Sequence, residues 1–191
     1  MTLAARPDHG PLLGSLPATP LAKILIRCVP QLDFDGGRPP RYLYLSRRAN
    51  RLNPAGIECL YFSEDDETAD LEYKNSWLGT VAQHQPKLTF HARVSISGML
   101  DLENAAVRMP LGLTEADLLA PWRLSTHETP LQRLGRAIAL QHRIAAVRYR
   151  SVVARAAGAT GGNVAIFYGA LHAPDRVEVL GRKGEVLEVL P

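Results

Sequence analysis

Hydrophobic and polar positions alternate in several stretches of this chain and repeat at helical spacing in others. The apolar run LAKILIRCV, residues 21–29, is too short for its period to separate strand from helix, and the Gly- and Pro-rich DFDGGRPPR after it marks a loop. RYLYLS, residues 41–46, and IECLYFS, residues 57–63, alternate as strands do. A helix is predicted next, with Ser63 as the capping hydroxyl and Glu64, Asp65 and Asp66 complementing the free amides of its first turn. KLTFHARVSISGMLD, residues 87–101, predicts one or two strands with Gly98 as a possible bend. LTEADLL reads as a short Thr-capped helix. TPLQRLGRAIALQHR carries the strongest helical pattern, with Thr129 as cap, Pro130 at the first helical position, and Leu131, Leu134 and Ile138 along one face. Strands follow at AAVRYRS, NVAIFY, RVEVLG and EVLEVL, with the loop ARAAGATGGN between the first two and a tight RKG turn between the last two.

This order lacks regular βαβ alternation. It predicts an α+β fold, a single domain with mixed or antiparallel sheets and flanking helices. The four prolines and two glycines of residues 1–20 predict an irregular N-terminal arm, with the folded domain over 21–191.

Composition narrows the class. With 191 residues, 46% of them hydrophobic and 21% charged, the chain has enough apolar surface for one core and no biased tract. Its net charge of +3 is too small to imply nucleic acid, and direct nucleic-acid binding is not expected. The distribution is uneven: seven acids lie between Glu58 and Tyr73, and seven arginines against the single acid Glu128 lie between Arg123 and Arg155. These blocks read either as two solvated surfaces or as the two sides of a cleft. Two cysteines, Cys28 and Cys59, without metal-ligand spacing fit a reducing, cytoplasmic setting, and no apolar stretch approaches a membrane span. The six histidines lack metal spacing, so no metal is expected. GATGGN lacks the G-x-G-x-x-G spacing, and neither a P-loop nor a G-x-S-x-G elbow is present.

The segment NRLNPAGIECLYFSEDDETADLEY, residues 50–73, resembles the first signature of the RES domain, with Arg51, Leu52, Asn53, Pro54, Gly56, Tyr61 and Glu72 in its places. LQRLGRAIALQHRIAAVRYRSVVARAAGATGGNVAIF resembles the second, with Ser151 and Asn163 in theirs. The chain departs at Leu52, where an aromatic is often found, and at Arg150, where Pro is frequent. A further family arginine is matched by Arg47 or Arg48.

The resemblance implies a fold like that of ADP-ribosyltransferase toxins and an enzyme that takes NAD+ as substrate, cleaving the nicotinamide–ribose bond by phosphorolysis or hydrolysis. Such a toxin would deplete NAD+ and arrest growth, held in check by an Xre-type antitoxin protein. Glu72 would bond a ribose hydroxyl and stabilise the developing cation, Arg51 would clamp the pyrophosphate, Tyr61 would meet nicotinamide or ribose, and Ser151 would bond the ribose or carboxamide. Asn53, Arg47, Arg48 and Asn163 complete the implied binding set. Two other readings stay open: a mono-ADP-ribosyltransferase acting on a protein, and a non-catalytic binding module using the basic C-terminal half.

Overall fold

The computed structural model describes residues 9–36, 42–45, 47–76 and 86–191. In chain order these form α1 (Gly10–Leu13), β1 (Thr19–Pro30), α2 (Gln31–Gly36), β2 (Cys59–Ser63), α3 (Asp66–Ser76), β3 (Lys87–Asp101), α4 (Ala105–Arg108), α5 (Glu115–Leu119), α6 (Pro130–Ala139), β4 (Ala146–Arg150), α7 (Val152–Ala156), β5 (Gly162–Phe167), β6 (Arg176–Leu180) and β7 (Val186–Leu190). Short 3₁₀ turns lie at Trp122–Leu124 and Tyr168–Ala170. The architecture is the expected mixed α+β domain.

The strands lie in the order β1-β2-β5-β4-β3-β6-β7, and β1 also pairs along β3. Because β1 bonds to β2 on one side and β3 on the other, the first five strands of that order close into a ring, with β6 and β7 extending from β3. Only β3 and β4 run parallel. The other pairs are antiparallel. Closure removes the open edges that five separate strands would leave.

β3 is a single strand, and its alternation of exposed and buried residues from Phe90 to Ile96 turns one face to the core. Gly98 is not a bend but a point of close approach: a Cβ there would lie 2.0 Å from the Arg143 carbonyl oxygen. β5 is buried at every position, as the central strand of the ring requires. Leu25, Leu60, Leu100, Leu134, Ile138 and Phe167 are fully enclosed, each side chain contributing roughly 1.5–3 kcal/mol relative to exposure. α6 keeps the cap foreseen for it: Thr129 and Gln132 form a capping box. Thr114 caps α5 in the same way.

Three local expectations are corrected. Residues 42–45 are not a strand; Arg41 and Ser46, the ends of RYLYLS, lie outside the described residues. Leu43 is buried, but its amide and that of Tyr42 bond the Glu188 carboxylate, and the Tyr44 carbonyl accepts from Arg27. Side chains thus satisfy a backbone that the alternation assigned to a ladder. The segment 154–163 is not all loop, because α7 begins directly after Ser151. Within residues 1–20, positions 1–8 lie outside the described residues, α1 follows at Gly10, and Leu13 and Leu16 join the core. No helix among the described residues is long and apolar enough to cross a membrane.

Candidate active site

α3 sets the position of Glu72. Thr68, Ala69 and Tyr73 are its buried residues, and Glu72, one turn beyond Thr68, faces the same way. The helix is capped by Asp65, whose carboxylate accepts from the Thr68 amide at 2.7 Å and the Thr68 hydroxyl at 2.9 Å. Ser63, expected to be the cap, is engaged elsewhere. Its hydroxyl donates to Asn163 Oδ1 at 2.9 Å.

That bond fixes the Asn163 amide so that its nitrogen points at Glu72, donating to Oε1 at 2.6 Å. Ser151 Oγ donates to the same oxygen at 2.7 Å. Ser151 is fully buried and is the N-cap of α7, its oxygen accepting from the Ala154 amide at 2.9 Å. Because the cap uses the oxygen as acceptor, the hydroxyl proton is left to go to Glu72. One carboxylate oxygen therefore takes two charge-assisted bonds from β5 and the end of β4. Among the described residues Oε2 accepts none and is open to a ligand.

Tyr149 stands directly across the β4/β5 ladder from Asn163 and two residues before Ser151, so its ring shares their face. It is buried, and burial is the main reason its phenol titrates far above the usual range. Nearby Glu72 adds to that shift, whereas Arg51 and Asn163 oppose it. Tyr61 is raised in the same way, by burial first and then by Cys59 and Tyr149. Burial likewise raises the Cys59 thiol, which is an unreactive thiol in this setting.

The segment 50–57 is held by its own polar side chains. Asn53, 1% exposed, donates through Nδ2 to the carbonyls of Arg48, Pro54 and Ile57 and accepts the Tyr61 hydroxyl at 2.8 Å. The same hydroxyl receives the Leu52 amide at 3.0 Å. Gln132 of the α6 capping box reaches the Asn50 carbonyl at 2.8 Å, and a Cβ on Gly135 would stand 1.6 Å from the Leu52 carbonyl oxygen. Arg51 Nη1 donates to the Leu118 and Ala120 carbonyls at 2.8 and 3.3 Å. Its Nε and Nη2 make no bond among the described residues, leaving one edge of the guanidinium for an anion.

Of the residues singled out by the sequence, Ser151 and Asn163 both hydrogen-bond to Glu72. Arg51 is near enough to influence Tyr149 electrostatically. Asn53 and Tyr61 brace the 50–57 segment. Arg47 is exposed and pairs with Glu58 at 2.9 Å, and Arg48 is exposed with its carbonyl taken by Asn53. The two charge blocks do meet: Arg148 forks onto Glu64 and Asp101, and Lys23 joins Glu64. Burial raises the Glu64 carboxyl, but hydrogen bonds from Arg148 and Lys23 outweigh it and hold the group below the ordinary value. Glu64 is thus not a cap residue but the centre of an ion-pair network.

Sequence reasoning passed over Ser63, Tyr149 and Arg27. The signal for Ser63 and Tyr149 was their two-residue strand spacing from Tyr61 and Ser151. For Arg27 it was an arginine set inside an apolar run. Burial lowers Arg27 to about 10, against the pull of Cys59 and Glu188. Its Nη2 donates to the Tyr44 carbonyl, while Nη1 is buried with no partner among the described residues. Among the described residues no cluster of His, Cys, Asp and Glu could hold a metal ion.

No curated protein matches the chain. The family model of the RES domain matches residues 24–187, a span that takes in every element holding Glu72, Ser151 and Asn163, and the chain belongs to the RES domain family.

Proposed function

We propose that this RES domain binds NAD+ and cleaves the bond between nicotinamide and ribose, with phosphate or water as the acceptor. The observation that carries the reading is the Glu72 carboxylate, fixed at one oxygen by Ser151 and Asn163 and open at the other. As the glycosidic bond breaks, nicotinamide leaves as a neutral base and the ribose gains oxocarbenium character. A carboxylate beside that ring accepts a ribose hydroxyl through Oε2 and stabilises the positive charge as it forms. Since Ser151 and Asn163 hold the group in place beforehand, little reorganisation is needed in the transition state. The open edge of Arg51 is suited to the pyrophosphate. Such an enzyme would act as a toxin by depleting NAD+, and an Xre-type antitoxin would be its protein partner.

The test is nicotinamide release from NAD+ by purified protein, with and without phosphate. The parent is expected to release nicotinamide, and Glu72→Gln to lower the rate by at least about a hundredfold. Product mass distinguishes ADP-ribose from its 1''-phosphate. A folded parent with no turnover under either condition, or a Glu72→Gln variant as active as the parent, overturns the reading.

A further inference from the structure

Two tyrosines belong to this cluster, and their hydroxyl groups are employed differently. The Tyr61 proton goes to Asn53 Oδ1, and its oxygen receives the Leu52 amide. That phenol has no proton left to give. Tyr149, only 6% exposed, stands across the ladder from Asn163, and its hydroxyl makes no hydrogen bond among the described residues. The Tyr149 hydroxyl is not among the fully enclosed side-chain atoms that lack a partner, so the ring is packed while its polar end reaches an opening.

The surroundings indicate what the proton meets. Asn163, which faces Tyr149 across the ladder, bonds Glu72, so the phenol stands on the face that holds this carboxylate, and Glu72 and Arg51 act on it electrostatically with opposite sign. In a ribosyl phosphate the ring hydroxyls and the phosphate are held a few bonds apart. A ribose hydroxyl that donates to Glu72 Oε2 keeps lone pairs of its own, and these need a donor.

We propose that Tyr149 is a substrate-binding residue whose hydroxyl donates to the oxygen of the ribose hydroxyl that itself donates to Glu72. The inference rests on the reading of the site as an NAD+ pocket. Hydrogen bonds then run in one direction, from the phenol to the ribose hydroxyl and from that hydroxyl to Glu72. Bonds ordered head to tail polarise one another. Burial keeps the phenol protonated, so it remains a donor throughout the neutral range.

Tyr149→Phe keeps the ring and removes only the donor. ADP-ribose affinity is read by calorimetry, and nicotinamide release is measured with NAD+ and with its 2'-deoxy and 3'-deoxy nicotinamide-ribose analogues. The variant is expected to retain the parent's melting temperature, to bind ADP-ribose about tenfold more weakly, and to lose about tenfold or more in kcat/KM on NAD+. That loss should vanish with one of the two deoxy analogues, since the atom the phenol contacts is then gone. Equal ADP-ribose affinity and kcat/KM in variant and parent overturn the inference, as does a loss of the same size on NAD+ and both analogues, which marks a packing role. If the parent releases no nicotinamide, the reaction proposed above fails, and the titration alone decides here. A tenfold loss of ADP-ribose affinity upholds the contact, and equal affinity, or no binding by the parent, refutes it.

Discussion

The corner of the sheet around Glu72 and the segment 50–57 both carry RES signature residues, and they use their polar groups in opposite ways. Around Glu72, side chains from two strand ends, Ser151 and Asn163, converge on one carboxylate oxygen, Ser63 holds the Asn163 amide in place, and the second oxygen is left free. In the segment 50–57, Asn53, Tyr61 and one nitrogen of Arg51 are directed at backbone groups and at each other. The first arrangement positions a carboxylate, and the second gives a loop without regular structure a fixed shape. A recurring residue can therefore serve a site through chemistry or through scaffolding, and its hydrogen-bond partners tell which.

The contrast can be broken at several points. The largest effect is expected for Gly135→Ala, which sets a methyl group against the Leu52 carbonyl, a backbone atom that cannot rotate away. It should cost about 3 kcal/mol in a urea-unfolding measurement, because α6 must move off the 50–57 segment. A variant as stable as the parent would show that this segment is not packed as described.

Asn53→Ala and Asn163→Ala form the sharper pair. The first deprives the Arg48 and Ile57 carbonyls of their side-chain donor and the Tyr61 hydroxyl of its acceptor, and should lower stability by about 2 kcal/mol. The second frees Glu72 and should reduce kcat for nicotinamide release about tenfold or more, with KM little changed and a smaller stability loss of about 1 kcal/mol. If both variants show the same balance of stability and rate, the distinction between the two regions falls.

The smallest expected effect is at Glu64. Its carboxyl is held below the ordinary 4.5, so its contribution to stability is complete above that value and is lost as the pH falls through the lowered folded-state value. Glu64→Gln should thus reduce stability at neutral pH by less than about 1 kcal/mol, given the partial exposure of the network. The difference from the parent should disappear in acid. Urea midpoints between pH 7 and pH 3 measure this, and a difference that persists undiminished at pH 3 would exclude the ion-pair account.

Much of the fold could be read locally. The Thr129 and Thr114 capping boxes, the turn at residues 182–184, the helix around Glu72 and the strands from Ala146 onward follow from spacings of two to four residues. Cap bonds and side-chain periods act over the same short range. Misreadings arose where a local pattern met a distant partner. Residues 42–45 alternate like a strand but are held by Glu188 and Arg27, and Ser63 precedes a helix yet bonds Asn163 instead of capping it.

The same division runs through the candidate site. Residue types and their order brought Arg51, Tyr61, Glu72, Ser151 and Asn163 to notice, and that much needed only the chain. Which of them would touch one another depended on ring closure, because the bonds that assemble the site join residues 79, 91 and 100 positions apart. No spacing rule reaches that far. Only the tertiary structure decided that the Tyr61 hydroxyl braces a loop, that Tyr149 retains a proton to donate, and that Arg27 Nη1 lies enclosed without a partner among the described residues.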